Sequence, residues 1–228
     1  MPNIVNVSVT QQVAPAPSTL QSTGALVSQG ATTLASGTYA LLTQLSDLSS
    51  ILTGAVNISS ITWATNVATV TTSSAHNIPS GDTVPVTIVG VTPSGYNGTF
   101  VATSTGTTTF TYPLLNNPGS YVSGGTETLE DVAELVAMAT TFFAQGSNQA
   151  VYVLELGVGS PAQGVTALTT YITNPTLRFY SYLLPKTWDT ESTAVTMARS
   201  YNGTTAQVYF YVTTTLATYT AWANIRSE

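Results

Sequence analysis

Residues 57–72 read NISSITWATNVATVTT, residues 83–92 read TVPVTIVGVT and residues 99–112 read TFVATSTGTTTFTY. All three runs lie in one stretch, residues 57–126, whose reading decides the fold. Thr, Ser, Val, Gly and aromatic residues dominate it, charge is almost absent, and turn residues cut it at short intervals. Residues 58–63 and 67–72 flank a short polar turn, which is a hairpin signal. Ser80-Gly81-Asp82 is a turn. Residues 84–89 form a strand whose early Pro85 places it at a sheet edge. Residues 93–98 make a two-turn loop. Residues 99–103 and 108–112 form a second hairpin over Thr105-Gly106, and Pro118-Gly119 leads into a last short strand at residues 121–123. Short strands at such spacing predict a small sandwich or barrel.

On either side the pattern changes. Residues 3–10 (NIVNVSVT) alternate apolar and polar, as a half-buried strand does. Ile4, Val5, Val7 and Val9 in this segment are candidates for an arm that pairs with a neighbouring subunit, through the extended, proline-marked connector at 11–22. Residues 23–29 are a short strand. Residues 37–43 are a strand or the start of a helix, and Ser46 caps a short helix with Asp47 in its first turn. After the β stretch, Thr128 caps a helix whose Val132, Leu135, Val136, Ala139 and Phe143 recur at helical spacing, and Gly146 ends it. Residues 150–156 (AVYVLEL) form an apolar run of strand length, as expected of a strand covered on both faces. Ser160, Pro161 and Gln163 open the next helix with a cap, a proline at the first position and a capping box. Strands at 178–184 and 207–212 and helices at 188–200 and 215–225 complete a βαβαβα series. Right-handed crossovers then imply a parallel sheet.

The expected fold class is therefore α/β: a mostly parallel sheet with flanking helices, interrupted by an inserted small all-β sandwich or barrel domain. The expected divisions are 1–56 (arm and first part of the α/β domain), 57–126 (insert) and 127–228 (remainder).

Composition narrows the chemistry. Of 228 residues only 6% are charged, against about 25% in ordinary globular chains. Net charge is −6, and the basic residues are Arg178, Lys186, Arg199 and Arg226 alone, too few for a phosphate-binding footprint, so nucleic acid is not an expected partner. Cysteine is absent, which excludes disulfides and thiolate metal sites. No apolar run approaches the roughly 20 residues of a membrane span.

Gly157-Val158-Gly159-Ser160-Pro161-Ala162 fits a dinucleotide fingerprint between strand and helix. No carboxylate follows the next strand to hold a ribose, however, and Pro161 removes one amide from the turn, so a Gly-rich connection is the expected reading. His76, the lone histidine, has neither an activated Ser nor a second metal ligand beside it in sequence. Glu127, Glu130, Asp131, Glu134, Asp189 and Glu191 fall at or near helix starts, where the dipole accounts for them. Glu155 lies inside the apolar strand, and a structural ion pair, with Arg178 as the candidate partner, or a strand end that reaches solvent is the expected explanation. Tyr96, Phe100, Phe110, Tyr112, Tyr121 and Trp63 are expected in the core of the β insert. No catalytic residue, cofactor or metal is expected.

The order of these segments resembles the N-terminal half of bacteriophage contractile tail sheath proteins. The resemblance runs from residues 3–10, through Ala25-Leu26-Val27 and residues 39–51, to residues 136–145 (VAMATTFFAQ) followed by residues 151–156. The stretches at 76–82, 93–100 and 109–112 resemble a small β module recurrent in phage tail and baseplate proteins. The resemblance implies a structural subunit of the virion tail, made in the host bacterial cytoplasm. Such subunits stack as hexameric rings around the tail tube protein and contract to drive the tube through the host envelope. It also raises the expectation that residues 3–10 are a linking arm. Sheath subunits continue into a further C-terminal α+β domain. This chain stops before it, so the expectation is a truncated subunit that is monomeric alone, with a shortened relative as the alternative. The alternative is a virion-surface module whose β insert recognises a host glycan or receptor.

Overall fold

A computed structural model describes residues 23–146, 149–201, 208–215 and 217–223. The expected arm with Ile4, Val5, Val7 and Val9 lies outside the described residues.

Six strands close a barrel in the order β3-β4-β7-β6-β5-β8. They are β3 (Val56–Ala64), β4 (Val67–Thr72), β5 (Thr83–Thr92), β6 (Gly98–Gly106), β7 (Thr109–Pro113) and β8 (Ser123–Leu129). All pairings within it are antiparallel. The β3–β4 turn places Thr65 and Asn66 at φ 51° and 63°, the left-handed pair that suits a two-residue hairpin. Strand alternation sends Ile58, Ile61, Val70, Val86, Ile88, Ala102, Phe110 and Tyr112 inward, where they form one core. Most Thr residues face out, Thr72 being buried, and cross-strand hydroxyls meet at 3.0 Å between Thr83 and Thr103. The barrel strands span 56–129.

Around the barrel lie β1 (Gly24–Ser28), β2 (Tyr39–Leu42), α1 (Leu45–Leu48), α2 (Glu130–Phe143), β9 (Val151–Glu155), α3 (Pro161–Thr173), β10 (Ser181–Leu183), α4 (Ser192–Ser200), β11 (Tyr209–Tyr211) and α5 (Tyr219–Ala223). The second sheet has the order β11-β10-β1-β9-β2. On one face Ala25, Val27, Leu154 and Tyr182 pack under Val165 and Leu168 of α3 and Met197 of α4. On the other, Leu26, Leu42, Val151 and Val153 meet Leu135 and Ala139 of α2 and Leu48 of α1. Val132 of α2 packs against both this core and the barrel core, which joins the two sheets.

The expected fold class is corrected. The described chain is mostly β, with 36% strand and 26% helix, and its larger sheet is a closed antiparallel barrel rather than part of a mostly parallel α/β fold. The second sheet is mixed, because β2 runs antiparallel to β9. The physical reason is the connection: only residues 29–38 separate β1 from β2, too few for the helical crossover that a parallel strand needs.

Local expectations shift with it. β5 is not an edge strand, since it pairs with β6 and β8; Pro85 is tolerated because pairing with β8 begins only at Val86. The β6–β7 hairpin turns at 107–108, not at Thr105-Gly106. The last barrel strand runs through Glu127 and Thr128, so α2 is capped by Leu129 rather than Thr128. Gln44, not Ser46, caps α1. Among the described residues no helix is long and apolar enough to cross a membrane.

Candidate functional site

The most heavily bonded polar group lies where β1 and β9 end together. Ser28 and Glu155 are register partners in the parallel pair. The Glu155 side chain is buried at the turn that follows β9. One carboxylate oxygen, Oε2, accepts hydrogen bonds from Ser28 Oγ at 2.6 Å, Thr32 Oγ1 at 2.8 Å and the Thr32 amide at 3.2 Å. The other, Oε1, accepts from the amides of Gly30 and Gly157, each at 2.7 Å. A carboxylate that gathers this many donors is compatible with burial, because the donors replace its hydration. Arg178 is exposed and takes no part, which corrects the expected pair.

The glycines around Glu155 are required by space. Gly30 has φ 93°, and a Cβ there would collide with Val158. Gly157 has φ 86° and lies against Ser36. The Gly157–Ala162 turn uses its donors internally. Ser160 Oγ accepts from the Gln163 amide, and the Ser160 amide donates to Gln163 Oε1 at 2.6 Å. A Cβ on Gly159 would meet that same Gln163 oxygen at 2.6 Å. The space and amides that a pyrophosphate would use are thus occupied by the chain itself. Beside the turn, Trp188 donates from Nε1 to Gln29 Oε1 at 2.8 Å, and Gln163 Nε2 donates to Asp82 of the barrel at 3.4 Å.

His76 is buried in the connection between β4 and β5, against Phe110 of the barrel. Its Nδ1 accepts from the Ile78 amide at 3.1 Å, so Nε2 carries the proton and donates to the Gly106 carbonyl at 2.7 Å. Both ring nitrogens are spoken for by backbone. Tyr96, Phe110 and Tyr112 are fully buried, and Phe100 stacks on Tyr112 with centroids 4.1 Å apart. Tyr96 donates its hydroxyl to the Gly119 carbonyl, and Trp63 donates its indole N–H to that of Leu114, each at 2.7 Å.

Two acidic groups differ from their expected roles. Glu127 is not a helix-start carboxylate: it lies in β8, 1% exposed, with Oε1 buried and without a hydrogen-bond partner. Burial pushes its carboxyl up to about 7. Its period-2 spacing from Leu129 was the available signal for an inward position. Asp189 accepts from the Thr215 amide at 2.9 Å and from Thr218 Oγ1 at 2.6 Å, tying the segment before α5 back to the sheet domain.

A groove of 710 Å³ runs between α2 and the uncovered faces of β10 and β11. Leu26, Met138, Phe142, Leu183 and Tyr211 give it an apolar floor, and Glu134 and Lys186 stand on its wall. Burial raises the Glu134 carboxyl, opposed by the backbone amides of Thr187 and Lys186. Among the described residues no group of three or more His, Cys, Asp or Glu side chains could hold a metal ion. No family model matches the chain, and no curated protein matches it.

Proposed function

We propose that the chain is a structural subunit of a contractile phage tail sheath, which assembles with its own kind in hexameric rings around a tail tube. The observation that carries this reading is the order of elements. β1, β2 and α1 are followed by a β barrel, then by α2 with Phe142-Phe143-Ala144-Gln145 at its end, then by β9. That is the succession in which the chain resembles sheath subunits.

Three features support it. The surface is poor in charge, which weakens repulsion between copies. The buried polar groups at Glu155 and His76 are consumed by internal hydrogen bonds that stiffen the body. Val132 lies in both cores, so the barrel is seated on the sheet domain as a rigid-body subunit needs. Of the six barrel aromatics expected in the core, Tyr96, Phe110 and Tyr112 are fully buried and Trp63, Phe100 and Tyr121 only partly, which leaves a glycan platform little aromatic surface.

The test is immunogold electron microscopy of phage particles from the lysate that carries the gene, with antibody raised against this chain. Gold distributed along the full length of the tail supports the proposal. Gold confined to the tail tip or fibres, or absent from tails, overturns it.

A further inference from the structure

β3 and β8 close the barrel through only two register pairs, Val56 with Glu127 and Asn57 with Thr126. On its other side β3 is held along all of β4, from Ile58 with Thr72 to Ala64 with Val67. Likewise β8 is held to β5 from Val86 with Leu129 out to Thr92 with Ser123. β6 and β7 share three register pairs, so the β3–β8 seam is the shortest of the six, and local opening starts where the fewest backbone bonds must part.

Glu127 sits in that seam. Its cross-strand neighbours on the inward face are Val56 and Ile88, both buried. β3 and β5 carry no ionisable group beside it. α2, packed against β5 and β8, carries Glu130, Asp131 and Glu134, all acids, and Lys186 acts on Glu134. Asp131 is itself held well above the ordinary carboxyl range, by burial first and then by Glu134, Glu155 and Glu130. Among the described residues no cation offsets the burial of Glu127.

We propose that Glu127 makes the β3–β8 seam a proton-operated catch: with its carboxyl protonated the barrel is closed, and with it ionised β3 parts from β8. An ionised carboxylate with no partner in an apolar wall must reach water. Parting the two register pairs, with the Tyr121 hydroxyl that bonds the Ile58 and Gly124 carbonyls across the same seam, admits it. Because β8 passes into α2 with no intervening residue, the opening falls at the end of the barrel nearest α2. The inference stands on the barrel alone and is independent of the sheath proposal.

Amide hydrogen exchange of the whole chain, corrected for the intrinsic pH dependence of exchange, tests it. Between about pH 5.5 and about pH 8 the opening of seam amides at 56–58 and 126–129 rises roughly thirtyfold, given a folded carboxyl near 7 and an unfolded one near 4.5. The rise disappears in Glu127→Gln, while amides of β4 and β7 stay protected in both proteins. An equal rise in Glu127→Gln, or uniform loosening of all six strands, overturns the proposal. Should Glu127→Gln fail to fold, Glu127→Met takes its place. Carboxyl carbon NMR of the unaltered protein gives an independent reading: a Glu127 midpoint in the ordinary glutamate range overturns the catch, and one near neutrality supports it.

Discussion

Replacing Glu155 by alanine removes the single acceptor shared by Ser28, Gly30, Thr32 and Gly157. The hydroxyls of Ser28 and Thr32 can rotate to other acceptors, so they contribute little to the loss. The amides of Gly30, Thr32 and Gly157 cannot turn away, because the backbone fixes them. Each buried amide left without a partner costs about 1–3 kcal/mol, which sets the expected loss at roughly 3–5 kcal/mol once partial rehydration is allowed. Relief from burying a charge acts in the other direction. It is the smaller effect, since donors already stand in for the water that Glu155 gave up. A loss of that size lowers Tm by roughly 8–16 °C in a chain of this length. The assays are urea unfolding followed by circular dichroism, and calorimetry. Glu155→Gln separates charge from acceptor number. Its NH₂ takes the place of one oxygen and faces donors, so it is expected to recover less than half of the loss. Thr32→Val keeps the carboxylate and costs about 1 kcal/mol. A destabilisation of Glu155→Ala below about 1 kcal/mol would refute the reasoning, for it would mean that the three amides find water or other partners without strain.

Other expectations follow from the same geometry. Gly164→Ala places a Cβ 2.5 Å from Trp188 and 2.6 Å from Gln29 Oε1. Both side chains are buried, so urea unfolding should show a loss of about 1–3 kcal/mol from overpacking. Glu127 binds a proton in the folded chain that the unfolded chain releases. Its contribution to stability is therefore complete below about pH 4.5 and is lost as pH rises to about 7, roughly 3 kcal/mol in all. Unfolding curves across that window should show the decline, and Glu127→Gln should flatten it. Asp189→Ala frees Thr215 and Thr218, so amide exchange should rise in α5 and leave α3 unchanged. Tyr96→Phe removes the bond to the Gly119 carbonyl at the cost of about 1 kcal/mol, measured by the same unfolding assay.

Local chemistry was legible wherever neighbours in sequence are neighbours in space. The Ser160–Gln163 capping box of α3 forms as its spacing indicates, because both partners lie within one helical turn. The β stretch could be recognised as a sandwich or barrel from its turns and alternation, and the closed form became visible only with the register of β8 against β3. Glu155 stood out as a carboxylate in an apolar run. Its bonds to Ser28, Gly30 and Thr32 span more than a hundred residues, so no pattern in sequence named them, and Arg178 was the wrong partner. Glu127 misled for the opposite reason. It is close in sequence to a helix start, but β8 carries it into the barrel wall before the helix begins. The direction of β2 was not legible because strand length and apolarity say nothing of which neighbour a strand will meet.

The sequence by itself determined most element types, the uncharged β surface, the capping box of α3 and the absence of cysteine chemistry, since these depend on residue type and short-range spacing. Only the tertiary structure decided that the larger sheet is a closed barrel and that the smaller one is mixed. It alone placed one carboxylate among five donors and another among none. Those outcomes depend on strand pairings and burial between distant segments, which local propensity does not encode.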